Sequence, residues 1–429
     1  MAEDALRICL LTYRGNPRSG GQGIYARLLS HALVELGHQV DVWSGQPYPE
    51  LLDGARLVRV PSLDLWNEEA FLRTPSLREL RDPINLGEWA STRTGGFPEP
   101  LTFSQRVARR FKRGLAPAYD VVHDNQCLGP GLLALQQRLP VVATIHHPVT
   151  VDRRIAFQNT TDAKKIFGLK RFYSFLPTQL KVSRRLERIM TVSEASLRDI
   201  AREYGVRPNR MRVVGNGINL DVFHPPGDAE AEQRRDPNRL ITTLSADSPL
   251  KGFRFMVEAL HELRRTRPEV RLTVIGRPGT ETDTEERIRR LGLQDAVEFT
   301  GYVADRDIAR YYAGSSVAVV PSLYEGFGFP AGEAMACQVP VVSTNAGALP
   351  EVVGREGRCG VLVPPRDGVA LARAIGELLD APERRRAMGE AGRRRVLEQF
   401  TWRRAAERTV EVYREVLEER ERVSRRTAC

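Results

Sequence analysis

At 429 residues the chain exceeds what one hydrophobic core usually supports, so two domains of about 200 residues each are expected. Its 41% hydrophobic and 28% charged residues exclude a disordered or fibrous chain, and the five cysteines (Cys9, Cys127, Cys337, Cys359, Cys429), with no CxxC pair and no metal-ligand spacing, fit free thiols in a reducing compartment rather than a disulfide framework. The net charge of +10 lies wholly in the first half: residues 1–220 hold 31 Lys/Arg against 21 Asp/Glu, whereas residues 221–429 hold 33 of each, a balance that suits phosphate-bearing partners or simple solubilisation.

The N-terminal MAEDALRICLLTY is acidic where a secretory signal is basic, and its apolar run is too short to span a bilayer, so a cytoplasmic chain is expected. Ile8 to Thr12 reads as a strand and Arg14 to Gly23 as a turn-rich loop. A helix follows with Ile24, Leu28, Leu29, Ala32 and Leu36 on one face, and Gly37 ends it. With the strand Val40 to Trp43 this is a βαβ unit, which implies a parallel sheet. The alternation continues through Asp120 to His123, Val141 to Ile145, Ile189 to Val192 and Met211 to Val214. Residues 1–217 therefore read as one doubly wound domain, interrupted at 60–117 by an irregular insertion with Trp66, Trp89 and several prolines. At the insertion's end Gln105 to Arg113 reads as helical, with Val107, Ala108 and Phe111 set against Arg106, Arg109, Arg110, Lys112 and Arg113.

The polar stretch Gly227 to Asn238 reads as an interdomain linker. Strands at 240–244, 271–275, 297–299, 317–320 and 339–343 then alternate with helices near 252–266, 284–291, 304–313 and 330–337, giving a second Rossmann-like domain over 239–400. The last helical stretches have no strands between them, and residues 401–429 are expected to pack outside the second sheet, back towards the first domain. Ligands of such sheets bind beyond the C-terminal strand ends, so a cleft between two facing domains is the expected site.

The densest chemical signal runs from Pro321 to Ala336. A loop with Gly326, Phe327 and Gly328 follows a strand, and Pro330 suits the first turn of the next helix. Glycine lets backbone N–H groups approach an anion, and the helix dipole favours negative charge there. Glu325 and Glu333, placed in the loop and the helix's first turn, then suit sugar hydroxyls, because a carboxylate accepts two O–H groups. Taken singly, each glutamate is equally readable as a cap or a surface residue.

The Glu-x7-Glu spacing inside EGFGFPAGEAMACQVPVV, with NGINLDVFHP from Asn216, resembles the family 4 retaining glycosyltransferases of the GT-B fold, over nearly the whole chain. The resemblance implies an α/β protein of two Rossmann-like doubly wound domains facing across a cleft. It also implies a nucleotide-diphosphate sugar (UDP-, GDP- or ADP-linked) as co-substrate, retention of configuration, and no obligatory cofactor or metal. By position, Glu325 resembles the family's contact to the donor sugar, Glu333 its ribose ligand and Lys251 its diphosphate lysine. The family's usual arginine five residues before that lysine is here Ala246. Gly20 and Gly21, in Gly20-Gly21-Gln22-Gly23, stand where the family brings a glycine loop to the diphosphate, and His146 resembles the histidine near the reacting sugar.

Asp124, Asn125 and Ser193, at strand ends, are candidate acceptor contacts, and Ser193 reads equally as a helix N-cap. The basic, aromatic stretch Lys164 to Arg188 is a candidate for peripheral contact with an anionic membrane. No nucleic-acid-binding module is recognisable. The alternatives are a non-catalytic binding protein for nucleotide sugars or lipid head groups, and a GT-B sugar-nucleotide epimerase. The motifs leave the acceptor, the donor base and the oligomeric state open.

Overall fold

The computed structural model describes residues 5–16, 21–67, 71–158, 160–226, 235–244, 249–278 and 283–428. The chain divides into two compact units, Met1–Gly215 together with Trp402–Cys429, and Asn216–Thr401. The division falls upstream of the stretch expected to be a linker, of which residues 227–234 lie outside the described residues.

The first unit opens with β1 (Arg7–Thr12), α1 (Gly21–Glu35), β2 (Gln39–Ser44) and β3 (Arg56–Arg59). Three helices follow: α2 (Leu77–Leu80), α3 (Pro83–Arg93) and α4 (Glu99–Lys112). Then come β4 (Val121–Asn125), α5 (Gly131–Gln136), β5 (Val141–Ile145), α6 (Val149–Gln158), α7 (Ala163–Phe172), α8 (Leu176–Ser183), β6 (Arg188–Thr191), α9 (Glu194–Tyr204) and β7 (Met211–Val213). The strands form one parallel sheet in the order β3-β2-β1-β4-β5-β6-β7, with Ile8 paired to Val40 on one side and Val121 on the other. Its central strands are buried on both faces, so Ile8, Cys9, Leu10 and Leu11 form a continuous apolar run rather than an alternating one. The strand order reverses between β1 and β4, which makes the loops after these two strands the ligand-binding edge of the unit.

The second unit contains β8 (Asp236–Leu244), α10 (Phe253–Arg264), β9 (Arg271–Gly276), α11 (Thr284–Arg290), β10 (Val297–Phe299), α12 (Asp305–Ala313) and β11 (Ser315–Val320). It continues with α13 (Phe329–Ala336), β12 (Val341–Thr344), α14 (Leu349–Val353), β13 (Gly360–Val363), α15 (Gly368–Leu379) and α16 (Pro382–Gln399). The order β10-β9-β8-β11-β12-β13 repeats the same topology, and its switch point lies between β8 and β11. The final helix α17 (Trp402–Ala428) belongs to the first unit, where it packs on α1. Trp402 lies edge-on to Tyr25, and Glu415 and Glu419 pair with Arg212 and Arg188.

The insertion expected to be irregular holds three helices between residues 77 and 112, the last of which contains most of the stretch Gln105 to Arg113 expected to be helical. Its prolines start helices instead of breaking them: Asp82 caps α3 at the Ile84 N–H with Pro83 as first residue, and Pro100 is the second residue of α4. A capping box of Ser76 and Glu79 opens α2. Arg106 does not share the exposed side of α4 with its basic neighbours. It is buried with Glu88, Nη1 to Oε2 at 2.6 Å, and Thr102 and the Leu63 N–H complete the carboxylate's bonds. In α1 the buried face includes Tyr25, Ala26, Leu29, Ala32 and Leu33, so Leu29 and Ala32 of the expected face are buried whereas Ile24, Leu28 and Leu36 are only partly so.

Candidate functional site

In the second unit the switch-point loops are stitched together by glycine. Gly252 holds φ +63, and a Cβ there would lie 2.1 Å from the Pro321 carbonyl oxygen. Leu323 N–H donates to the Leu250 carbonyl at 2.7 Å. This close approach sets Lys251 Nζ 2.8 Å from Glu325 Oε1, with the two side chains 24% and 12% exposed. Ser322 Oγ donates to the same oxygen at 2.8 Å, so Oε2 has no hydrogen-bond partner among the described residues. The loop after β12 holds Glu325 from behind: Ala348 N–H donates to its carbonyl at 2.9 Å, and a Cβ on Gly347, at φ +56, would lie 2.2 Å from that oxygen.

Gly328 is the N-cap of α13 at φ +108, a left-handed conformation that glycine adopts without strain. Phe327 is buried against Phe329 and Phe400, with ring centroids 5.1 and 5.7 Å away, so it anchors the loop and has only backbone groups to offer a ligand. Glu333 is the fifth residue of α13, one residue past the first turn expected for it. Tyr312 OH lies 3.5 Å from Glu333 Oε2 and donates to the Pro330 carbonyl at 3.3 Å. Burial and the neighbouring Glu333 charge push the Tyr312 phenol well up, so it stays a proton donor. Ala246 lies outside the described residues.

In the first unit Gly20 lies outside the described residues, and Gly21 is the exposed first residue of α1 with open space where a Cβ would go. The position that requires glycine is Gly23, where a Cβ would come within 2.3 Å of the Asn16 carbonyl. His146, at the end of β5, has Nε2 2.7 Å from Asn125 Oδ1 and its ring edge-on to Tyr25 at 4.7 Å. Burial, followed by the neighbouring His147, lowers its pKa to about 3, so the ring is neutral at ordinary pH.

The strand-end candidates divide. Asn125 is buried and bonded to His146, to the Gln22 carbonyl and to Thr12. Asp124 turns into the core, accepts the Leu128 N–H at 3.0 Å and is raised to about 6 by burial, so it offers nothing to a ligand at the surface. Ser193 is the N-cap of α9 and accepts from the Ser196 N–H. A strand end locates such residues without saying which way they point.

Sequence reasoning missed Ser322, Gly347, Tyr312, Tyr25 and His123. Only the small residues beside the glutamate motif carried any signal. His123 is fully buried between Tyr413 OH, 2.6 Å from Nδ1, and Thr144 Oγ1, 2.7 Å from Nε2, and burial lowers its pKa to about 3. Among the described residues no group of three His, Cys, Asp or Glu side chains is placed to hold a metal ion.

Comparison with known proteins agrees with this geometry. The model of the glycosyl transferases group 1 family matches residues 228–395, and that of glycosyltransferase family 4 matches residues 19–222. An MMP alpha-(1->4)-mannosyltransferase of Mycolicibacterium hassiacum is 44% identical over 96% of this chain and 98% of its own. A D-inositol 3-phosphate glycosyltransferase of Xylanimonas cellulosilytica is 30% identical over 95% and 94%. Among solved structures, sucrose-phosphate synthase of Thermosynechococcus elongatus superposes with a TM-score of 0.71 at 25% identity, covering 96% of this chain and all of that one. The Anabaena HepE protein, solved with UDP and glucose, gives 0.68 at 18% identity over 95% and 99%. Two parallel doubly wound sheets, a glutamate loop at the switch point of the second, and these relatives lead to one assignment: the chain belongs to the group 1 glycosyltransferases and is an enzyme of that family with the GT-B fold.

Proposed function

We propose that the enzyme transfers a mannosyl group from a nucleoside-diphosphate mannose to the 4-hydroxyl of an acceptor sugar, with retention of configuration. The observation that carries the donor reading is the division of labour at Glu325: Oε1 takes Lys251 and Ser322, and Oε2 is left to accept a sugar hydroxyl. Lys251, the Gly326 to Gly328 amides and the N-terminus of α13 would draw the diphosphate to the same place, and Glu333 would take the ribose hydroxyls. The mannosyl and 1→4 assignments rest on the 44% identical relative.

In this reading the acceptor oxygen bonds to the anomeric carbon on the face from which the phosphate departs. The anomeric carbon–phosphate oxygen bond breaks, and a phosphate oxygen takes the acceptor proton. No protein carboxylate forms a covalent intermediate, in contrast to the paired carboxylates of retaining glycosidases. Among the group 1 relatives named above none is an epimerase or a non-catalytic binder, and nothing in the geometry favours either.

The test is a panel of GDP-, UDP- and ADP-mannose with the matching glucose donors and a mannoside acceptor, scored by nucleotide release and by proton NMR of the product. The expected result is one mannose donor consumed and an α-linked 1→4 product. A β-linked product, or use of glucose donors alone, contradicts the proposal.

A further inference from the structure

We propose that Asn125 and Gln126 are positioning residues that lock His146 as the Nε2–H tautomer, so that its Nδ1 lone pair accepts a substrate hydroxyl. The inference builds on the reading of His146 as the histidine near the reacting sugar, and its test separates the two.

The tautomer follows from a chain of obligatory donors and acceptors. Asn125 Nδ2 lies 3.0 Å from the Gln22 carbonyl oxygen and 3.4 Å from Thr12 Oγ1. A carbonyl oxygen only accepts, so the NH2 side of the amide faces Gln22 and the amide oxygen faces the histidine. That oxygen, itself only an acceptor, lies 2.7 Å from His146 Nε2, so the proton is on Nε2. Nδ1 of the neutral ring then carries the lone pair, and it has no hydrogen-bond partner among the described residues.

Gln126 fixes the backbone on which the ring stands. Its Oε1 accepts the His146 N–H at 2.7 Å and its Nε2 donates to the His147 carbonyl at 3.0 Å, so one side chain brackets the residue. To do this Gln126 sits at φ +57, and Leu128 two residues on is at φ +47, both in the left-handed region that side chains disfavour. Asp124, buried beneath the loop, holds this conformation through the Leu128 amide and Cys127. Disfavoured backbone conformations of this kind cluster at functional sites. Because Gln22 lies in the first turn of α1, Asn125 also ties the histidine to the helix that follows the glycine loop.

The test uses the full chain labelled with ¹⁵N-histidine, read by long-range ¹H–¹⁵N correlation, with the His146 signals identified by their loss in His146→Gln. The wild type is expected to show the neutral Nε2–H pattern at pH 7. Asn125→Ala is expected to average the two nitrogen shifts and to lower kcat at least tenfold with donor KM nearly unchanged. Asn125→Ser, whose hydroxyl is too short to reach the ring, serves in place of Asn125→Ala if that variant does not fold. An Nδ1–H pattern in the wild type, or an unchanged pattern in both Asn125→Ala and Asn125→Ser, overturns the lock. Full transfer by His146→Gln overturns the substrate role and leaves the tautomer assignment to stand on the spectrum alone.

Discussion

Glu325 depends on neighbours that contribute no charge. Gly347 lies against its carbonyl at a positive φ, so Gly347→Ala brings both a steric clash and backbone strain to the one carboxylate assigned to the donor sugar. The expected outcome is a loss of transfer of at least about tenfold, since catalytic geometry tolerates little displacement. Gly87→Ala, at an exposed position of α3 with open space around it, should leave turnover unchanged and should not lower the melting temperature, and kinetics with thermal scans of both variants check the pair. Glu325 and Glu333 were legible because they flank a glycine-bearing loop and helix start at a fixed spacing, and Lys251 was legible only through the family resemblance. Ser322, Tyr312 and Gly347 were hidden, because their roles are to hold another residue and exist only once the chain is packed.

The buried histidines give the residue scale a pH signature. His123 is neutral in the fold with its pKa lowered to about 3, against about 6.5 for an exposed imidazole. Its stabilisation is therefore fully present above the unfolded value and is lost as pH falls from about 6.5 towards 3, and His146 acts in the same direction. Glu99 and Asp124, raised to about 7 and about 6 by burial, act in the opposite direction over the same range, so the histidine is tested by difference: on going from pH 7.5 to 5 the melting temperature of His123→Gln should rise relative to that of the wild type. An equal change in both proteins would remove His123 from the account.

At the scale of elements, the parallel strands were readable from their apolar runs. The insertion was not, because its prolines act as helix starts and its helices are tied by a buried ion pair that no periodicity reveals. Arg106→Met leaves Glu88 buried without its partner, a change expected to cost about 3 to 5 kcal/mol. For a unit of this size that corresponds to a fall of roughly 10 °C in melting temperature. A Glu88→Gln/Arg106→Met double variant should recover much of it, and calorimetry of the single and double variants decides. Helix α17 was legible as a helix of the right length, yet its attachment rests on Tyr413 reaching His123 and on the glutamates facing Arg188 and Arg212, contacts more than 200 residues apart in the chain.

For the molecule as a whole, part of the basic excess of the first half is carried by α7. This helix buries none of its side chains, and it exposes Phe167 (65%) among Lys164, Lys165 and Lys170. No described helix is long and apolar enough to cross a membrane. We propose that α7 rests on an anionic bilayer, its phenylalanine in the interface and its lysines at the head groups. Co-sedimentation with phosphatidylglycerol vesicles at low salt should be lost in Phe167→Ser/Lys164→Glu, and absence of wild-type binding contradicts the proposal.

Family membership defines the reaction class, whereas donor choice lies with loop side chains that no motif fixes. The most direct test of the account is the rate of sugar transfer by Glu325→Gln beside the wild type, with the donor selected by the panel. The substitution keeps the size of the side chain while removing the charge that holds Lys251 and the second oxygen offered to the sugar. Loss of one such preorganised contact predicts a fall in kcat of about 10² to 10³ with the fold intact. Turnover within a few-fold of wild type would contradict the placement of the donor at this loop.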